Sequence, residues 1–369
     1  MTPSETAPDM VDWDLAVATA RRLAGRGPAV DGAEARTVVT DLRRVADEAE
    51  AHVHSFTGLD GSAVSAPVVV VDRGNWARAN AQSMRTMIAP LENKLRGERD
   101  VSVSRRFGAK ATGVQTGALL AFLASKVLGQ FDPFWTGPGD PSGAHSRGRL
   151  LLVVPNIVHV EREMGVEPRD FRLWVALHEE THRVQFTAVP WLRDHLAAEV
   201  EAFVAATDVD PTAFLSRVGE AARTIGEATR SGGREVSLLD LVQTPAQREI
   251  VDRVTAMMSL LEGHADVVMD GVGPDVIPSV ATIRRRFQRR RNSSQGLDRT
   301  VRRLLGLEAK MRQYRDGAAF VNTVVERVGM TGFNRVWNSP DTLPTKDEIA
   351  DPVSWIRRTH GVEPVGATG

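Results

Sequence analysis

Two histidines and a glutamate stand at a telling spacing in the stretch LHEETHRVQF, residues 177–186. His178 and His182 are four positions apart, and Glu179 follows the first of them. On an α-helix, positions i and i+4 share one face, one turn apart. Both imidazoles can therefore aim at one ion. Glu179 can reach a water on that ion without binding the ion itself. A divalent cation lowers the pKa of such a water, and a carboxylate that takes its proton makes it a nucleophile. The competing reading is a surface helix with a polar Glu-Glu-Thr-His face. The flanks argue against it: FRLWVAL before and VQF after are strongly apolar. Buried polar groups need partners, and a metal supplies one.

A metal site needs a third ligand. The chain has no cysteine, so any metal must be held by His, Asp and Glu. The metzincin pattern would carry glycine and histidine where this sequence has Gln185 and Ala188, which excludes that branch. The other common solution is a glutamate from a second helix. LEGHADVVMD, residues 261–270, offers Glu262-x-x-x-Asp266 in a Met/Leu/Val-rich segment. Glu262 can complete a His-His-Glu set. Asp266, one turn on, can accept the N–H of a ligand imidazole. The plainer reading of this pair is a solvated helix face. His264 lies about 200° round the helix from Glu262, so it reads as a hydrogen-bonded structural histidine. His159 and His195 have no matching partner pattern. Tyr314 is the only tyrosine. Its phenol could donate to a developing oxyanion; the alternative is an amphipathic core residue with its hydroxyl at the surface.

The elements that must position these groups follow from periodicity and breakers. Residues 12–24 and 33–54 have helical spacing. Four valines, 68–71, suit a short strand, with Asp72 to Asn75 as turn and cap into a helix. A helix is expected over 111–130, then a Gly/Pro loop over about 131–148 that could form a lid or rim. A second strand is expected from Arg149 to about Val158, ending near Pro155-Asn156. Pro168 opens the motif helix and Pro190 closes it. Another helix spans 191–206. Thr244-Pro245-Ala246-Gln247 reads as an N-cap, a first-turn proline and a capping glutamine. That helix should run to Asp270 and stop at Gly271. The C-terminal third is expected to be helical to about 330 and loop-rich beyond. With no internal repeat or clear linker, the reading is one mainly α (α+β) domain over 11–360, with a small sheet and short tails at 1–10 and 361–369.

Composition sets the outer bounds. The 369 residues are 42% hydrophobic and 25% charged with a net charge of −1, as for a soluble globular chain. The N-terminus lacks a basic region followed by an apolar core, so no signal peptide is expected. A cysteine-free chain fits a reducing cytoplasm. The most apolar stretch, 111–131, has about 14 apolar positions against the roughly 20 that a spanning helix needs, and reads as a core helix. The arginine-dense run 282–303 suggests anionic partners. With near-zero net charge and helical spacing of Ile283 and Phe287, a solvated helix face fits better, and nucleic acid is not expected.

The pieces PNIV, LHEETHRVQF, LLEGHADVVMD, QYRDGAAFV and LPTKDEIADPVSW together resemble the zincin-like metallopeptidase type 2 family, from about residue 60 to 360. These are actinobacterial and related proteins labelled as hydrolases associated with biosynthesis of coenzyme F-420. The resemblance implies a gluzincin-type, zincin-like fold. It also implies one zinc ion on His178, His182 and Glu262, with Glu179 as catalytic acid/base. It implies no particular substrate; a peptide or small amide is the expectation, and a silent binding scaffold or an amide/ester hydrolase the alternatives.

Overall fold

Among the described residues, breakers and caps in the sequence cut the chain into helices, with three short strands among them. The computed structural model describes residues 10–61, 66–96, 103–137, 148–206, 244–293 and 307–361. In chain order the described elements are α1 (Trp13–Leu23), α2 (Gly32–Thr57), β1 (Val68–Val71), α3 (Arg73–Arg96), α4 (Val103–Ala124), β2 (Gly129–Asp132) and β3 (Arg149–Val153). There follow α5 (Val154–Met164), α6 (Pro168–Ala188), α7 (Leu192–Ala205), α8 (Pro245–Val272), α9 (Val280–Ser293) and α10 (Leu307–Phe333). Two 3₁₀ turns and the short helices α11 (Lys346–Ala350) and α12 (Pro352–His360) end the described chain. The fold is mainly helical with one small mixed sheet, as the sequence predicts. Among the described residues no helix is long and apolar enough to cross a membrane; the apolar stretch expected to be a core helix lies largely on α4.

The described residues fall into two compact units. The first draws on Met1–Arg193, His264–Ser294 and Met330–Asn334. Its sheet has the order β1-β3-β2, with β1 parallel and β2 antiparallel to β3. Alternation along β3 sorts its side chains between two faces. Leu151 and Val153 join Trp76, Leu120 and Ala124 in a core shared with α1, α3 and α4. On the other face, Phe131, register partner of Leu150, meets Phe186 of α6 at 5.6 Å between ring centroids. Helix α2 packs along α6 from another side.

Several sequence expectations hold closely and some shift. β1 lies at the four valines, and α6 runs between its two prolines as expected. The expected helix over 111–130 instead begins at Val103 and ends at Ala124, because Gly129–Asp132 pairs with β3 as a strand. Four residues containing a glycine and an aspartate carry little strand signal of their own; pairing decides their state. The strand expected to 158 ends at Val153, and α5 begins there. Pro155 lies in the first turn of α5, where a missing N–H costs nothing and the fixed φ suits a helix. It starts a helix rather than ending a strand. The stretch beyond 333 contains α11 and α12 as well as turns, each with a capping residue or first-turn proline.

The second unit draws on Asp194–Gly263, Gln295–Gly329 and Arg335–Gly369. Thr244 and Gln247 form the reciprocal cap expected at the start of α8, at 3.1 and 2.9 Å. Arg253 of α8 forms a two-pronged ion pair with Glu199 of α7 at 2.9 and 2.8 Å. Helices α8 and α10 then meet backbone to backbone. A Cβ on Gly263 would lie 2.1 Å from the Gly317 carbonyl carbon, and one on Gly317 only 1.9 Å from the Ser259 oxygen. Gly263 directly follows Glu262, so this crossing bears on where Glu262 is held. Gly263→Ala should therefore force the helices apart and destabilise the protein by about 1–3 kcal/mol, the usual range for overpacking. Urea unfolding measures it, and an unchanged midpoint would contradict the crossing.

Candidate metal centre

Helix α6 begins with Pro168 in its first turn and with the Glu167 carboxylate accepting from the Asp170 N–H at 2.9 Å. Its turns are then fixed on several sides. The Arg172 guanidinium donates to both Glu161 oxygens, at 3.0 and 2.7 Å, and to Asp41 at 3.0 Å. The Asp170 carboxylate accepts from the Ser279 N–H and hydroxyl at 2.9 and 2.7 Å. Trp174 packs edge-on to Phe287 of α9 at 5.0 Å. One turn later the helix presents His178, and one turn after that His182.

The two imidazoles converge. Their Nε2 atoms are 3.3 Å apart, with ring planes crossed at 85°. A tetrahedral zinc with bonds of about 2.0–2.1 Å places two nitrogen ligands about 3.3 Å apart, so the pair fits such an ion. One ligand atom each from His178, His182 and Glu262 of α8 lies within 4.8 Å of the others, so the three could hold one metal ion. All three side chains are half-buried. Two nitrogens, one carboxylate and no thiolate form a borderline-hard donor set of the kind that takes zinc.

The hydrogen bonds behind His182 prepare it for this role. Its Nδ1 lies 2.9 Å from the Gln185 amide oxygen. That oxygen can only accept, so this bond forms with the ring proton on Nδ1, which leaves the Nε2 lone pair toward His178. The other end of the same amide lies 3.0 Å from His264 Nδ1. His264 is fully buried, stacks beside Phe333 at 5.1 Å, and is pushed down to about 3 by burial, with the nearby His182 adding to the shift. It is thus a neutral, hydrogen-bonded histidine, as expected from its position on the helix. For His182 the partner is Gln185, three residues on along its own helix; the Asp266 backbone carbonyl accepts from Arg284 at 3.1 Å. The signal for Gln185 was a lone amide within the apolar VQF. It can be buried only if both ends are bonded.

Glu179 is buried and faces β2. Gly129 makes room for it: a Cβ there would lie 2.5 Å from Glu179 Cγ and 2.8 Å from Oε1. No spacing rule announces this glycine, because it lies 50 residues upstream. Glu180, the next residue, serves the opposite side. It is fully buried, and its carboxyl, pushed up to about 7 by burial against the pull of Arg183, pairs with that guanidinium at 2.5 Å. Arg183 also reaches Glu50 of α2 at 2.7 Å. Tyr314 falls in a stretch of α10 whose side chains lie outside the described residues. In the arginine-rich run, Arg284 pairs with Asp270 and Arg290 with Glu163, at 2.5 and 2.7 Å. Arg286 donates to the Met164 and Gly165 carbonyls at the end of α5. These three are engaged by their own fold; residues 294–303 of the run lie outside the described residues.

Comparison with known proteins agrees with this geometry. A family model described as zincin-like metallopeptidase matches residues 11–356. A crystal structure from Chloroflexus aurantiacus, described as "a putative hydrolase with a novel fold", is similar to this chain at 32% identity. It superposes with a TM-score of 0.66 over 95% of this chain and 99% of the other. No curated protein matches. The match over nearly the whole length places this chain in the zincin-like metallopeptidase family.

Proposed function

We propose that the protein is a zinc-dependent metallopeptidase in which His178, His182 and Glu262 hold the ion and Glu179 is the general acid/base. The observation that carries this reading is the convergence of the three donor atoms within 4.8 Å, with Glu179 on the same helix beside the first ligand. A zinc ion so held would supply Lewis acidity, lowering the pKa of a bound water and polarising the carbonyl under attack. Glu179 takes the proton of the attacking water and returns it to the leaving amine. Gly129 keeps the space in which that carboxylate sits. A purely structural metal site has no need of such a base, which favours an enzyme over a silent scaffold.

The sheet favours an extended peptide over a compact amide. Among the described residues β2 pairs with β3 alone, so its outer edge offers backbone N–H and C=O groups. An extended chain adds to such an edge by main-chain hydrogen bonds. Gly129, the first residue of β2, lies directly against Glu179. A peptide paired with β2 would carry its backbone past the general base. Tyr314 is proposed as the oxyanion donor, resting on its being the chain's single tyrosine.

Metal analysis should give about one zinc per chain. The His178→Ala/His182→Ala double variant and Glu262→Ala should lose it, and full zinc content in the double variant would end this reading. Glu179→Gln should keep zinc and lose roughly 10²–10⁴-fold in turnover, the usual contribution of a general acid/base. Screening wild type against this variant with peptide and small-amide libraries identifies the substrate class. Gly129→Ala should also keep zinc while turnover falls on the order of 10²-fold, as expected when a catalytic group is displaced by about 1 Å. Unchanged turnover in Gly129→Ala would show that Glu179 does not act from its observed position.

A further inference from the structure

Gln185 is fully buried, and so is His264. An amide in such a place costs stability unless both its ends are bonded. Here both are: Oε1 to His182 Nδ1 at 2.9 Å and Nε2 to His264 Nδ1 at 3.0 Å. A carbonyl oxygen only accepts and an amide NH₂ only donates. The two ends therefore impose opposite demands on the two rings. His182 must carry its proton on Nδ1, and His264 must leave Nδ1 bare and carry its proton on Nε2. With the amide turned over, its NH₂ would face His182 and drive the ring proton to Nε2. His182 would then be closed to a metal. The observed orientation and the ligand role require each other.

We propose that Gln185 is a positioning residue that sets the tautomer and ring orientation of His182 through a bond anchored on His264, before any metal arrives. Its consequence for metal affinity rests on the function proposed above; the pair of tautomers does not. The anchor is firm because His264 is wedged beside Phe333 at 5.1 Å and has no exposed surface. The amide cannot rotate without breaking both bonds, and His182 cannot flip without losing its acceptor. The three groups thus act as one unit, with a ligand at one end and a buried imidazole at the other.

The test is a long-range ¹H–¹⁵N correlation spectrum of metal-free protein carrying ¹⁵N-histidine. It is recorded at alkaline pH, where free imidazoles are neutral. His182→Asn and His264→Asn identify the two rings. Wild type should show His182 protonated on Nδ1 and His264 on Nε2. Gln185→Glu gives the decisive signature. A carboxylate only accepts, so His182 should keep its tautomer while His264 switches its proton to Nδ1. A merely structural role for Gln185 would not produce that switch. In Gln185→Leu the His182 tautomer should become mixed. Zinc affinity, read by competition with a chelator, should fall by roughly 10–100-fold, the range for loss of a ligand's hydrogen-bond partner. Gln185→Glu should recover most of it. Wild-type His182 protonated on Nε2, or an unchanged His264 in Gln185→Glu, would overturn the proposal. Correct tautomers in a protein that binds no zinc would sink the metal reading alone. Stoichiometric zinc with the wrong tautomers would sink this proposal alone. The wild-type spectrum decides even if the Gln185 variants fail to fold.

Discussion

A helix that carries two ligands on one face is useful only if it cannot turn about its own axis. A shift of one residue rotates an α-helix by about 100°, enough to sweep both imidazoles away from a fixed third donor. Most of what surrounds α6 can be understood as a solution to this constraint. Arg172 locks the first half through Glu161 and Asp41, and Asp170 does so through Ser279. Trp174 bears on Phe287 and Phe186 on Phe131. Gln185 adds the fixing point nearest the ligands, with an amide that joins α6 to α8 at His264. These contacts leave the helix on different sides, so no single rotation satisfies them all except the observed one.

The two adjacent glutamates show how one helix divides its work. Glu179 and Glu180 are one position apart, hence about 100° apart around the axis. One faces β2 at Gly129; the other is buried and paired with Arg183. A buried carboxylate without its cation is strongly destabilising, while the intact pair adds little net stability. The Glu180–Arg183 pair therefore contributes mainly specificity. It penalises any arrangement in which Glu180 leaves its partner, including the rotation that would bring it into the place of Glu179.

Features whose physics is local could be read from the sequence. The i, i+4 histidines, the prolines bounding α6, the four-valine strand and the Thr244–Gln247 cap each follow from spacing or capping rules. Glu262 was legible for a similar reason, as a carboxylate inside an apolar helical stripe. What stayed hidden depends on contacts between residues far apart in the chain. β2 is a strand only because β3 pairs with it. Gly129 matters only because Glu179 lies against it. Gln185 served in the sequence only to exclude the metzincin pattern, and its partner is 79 residues away. Pro155 misled for a different reason: the same ring that ends a strand also suits the first turn of a helix.

Helix α8 brings these themes together. It is unbroken from Pro245 to Val272, and three consecutive residues near its middle have three different tasks. Glu262 belongs to the three-residue group that could hold a metal ion, Gly263 lets α10 approach at backbone distance, and His264 holds the far end of the Gln185 amide. Loss of the bond between His264 and Gln185 would leave an amide buried and half-satisfied, which costs stability.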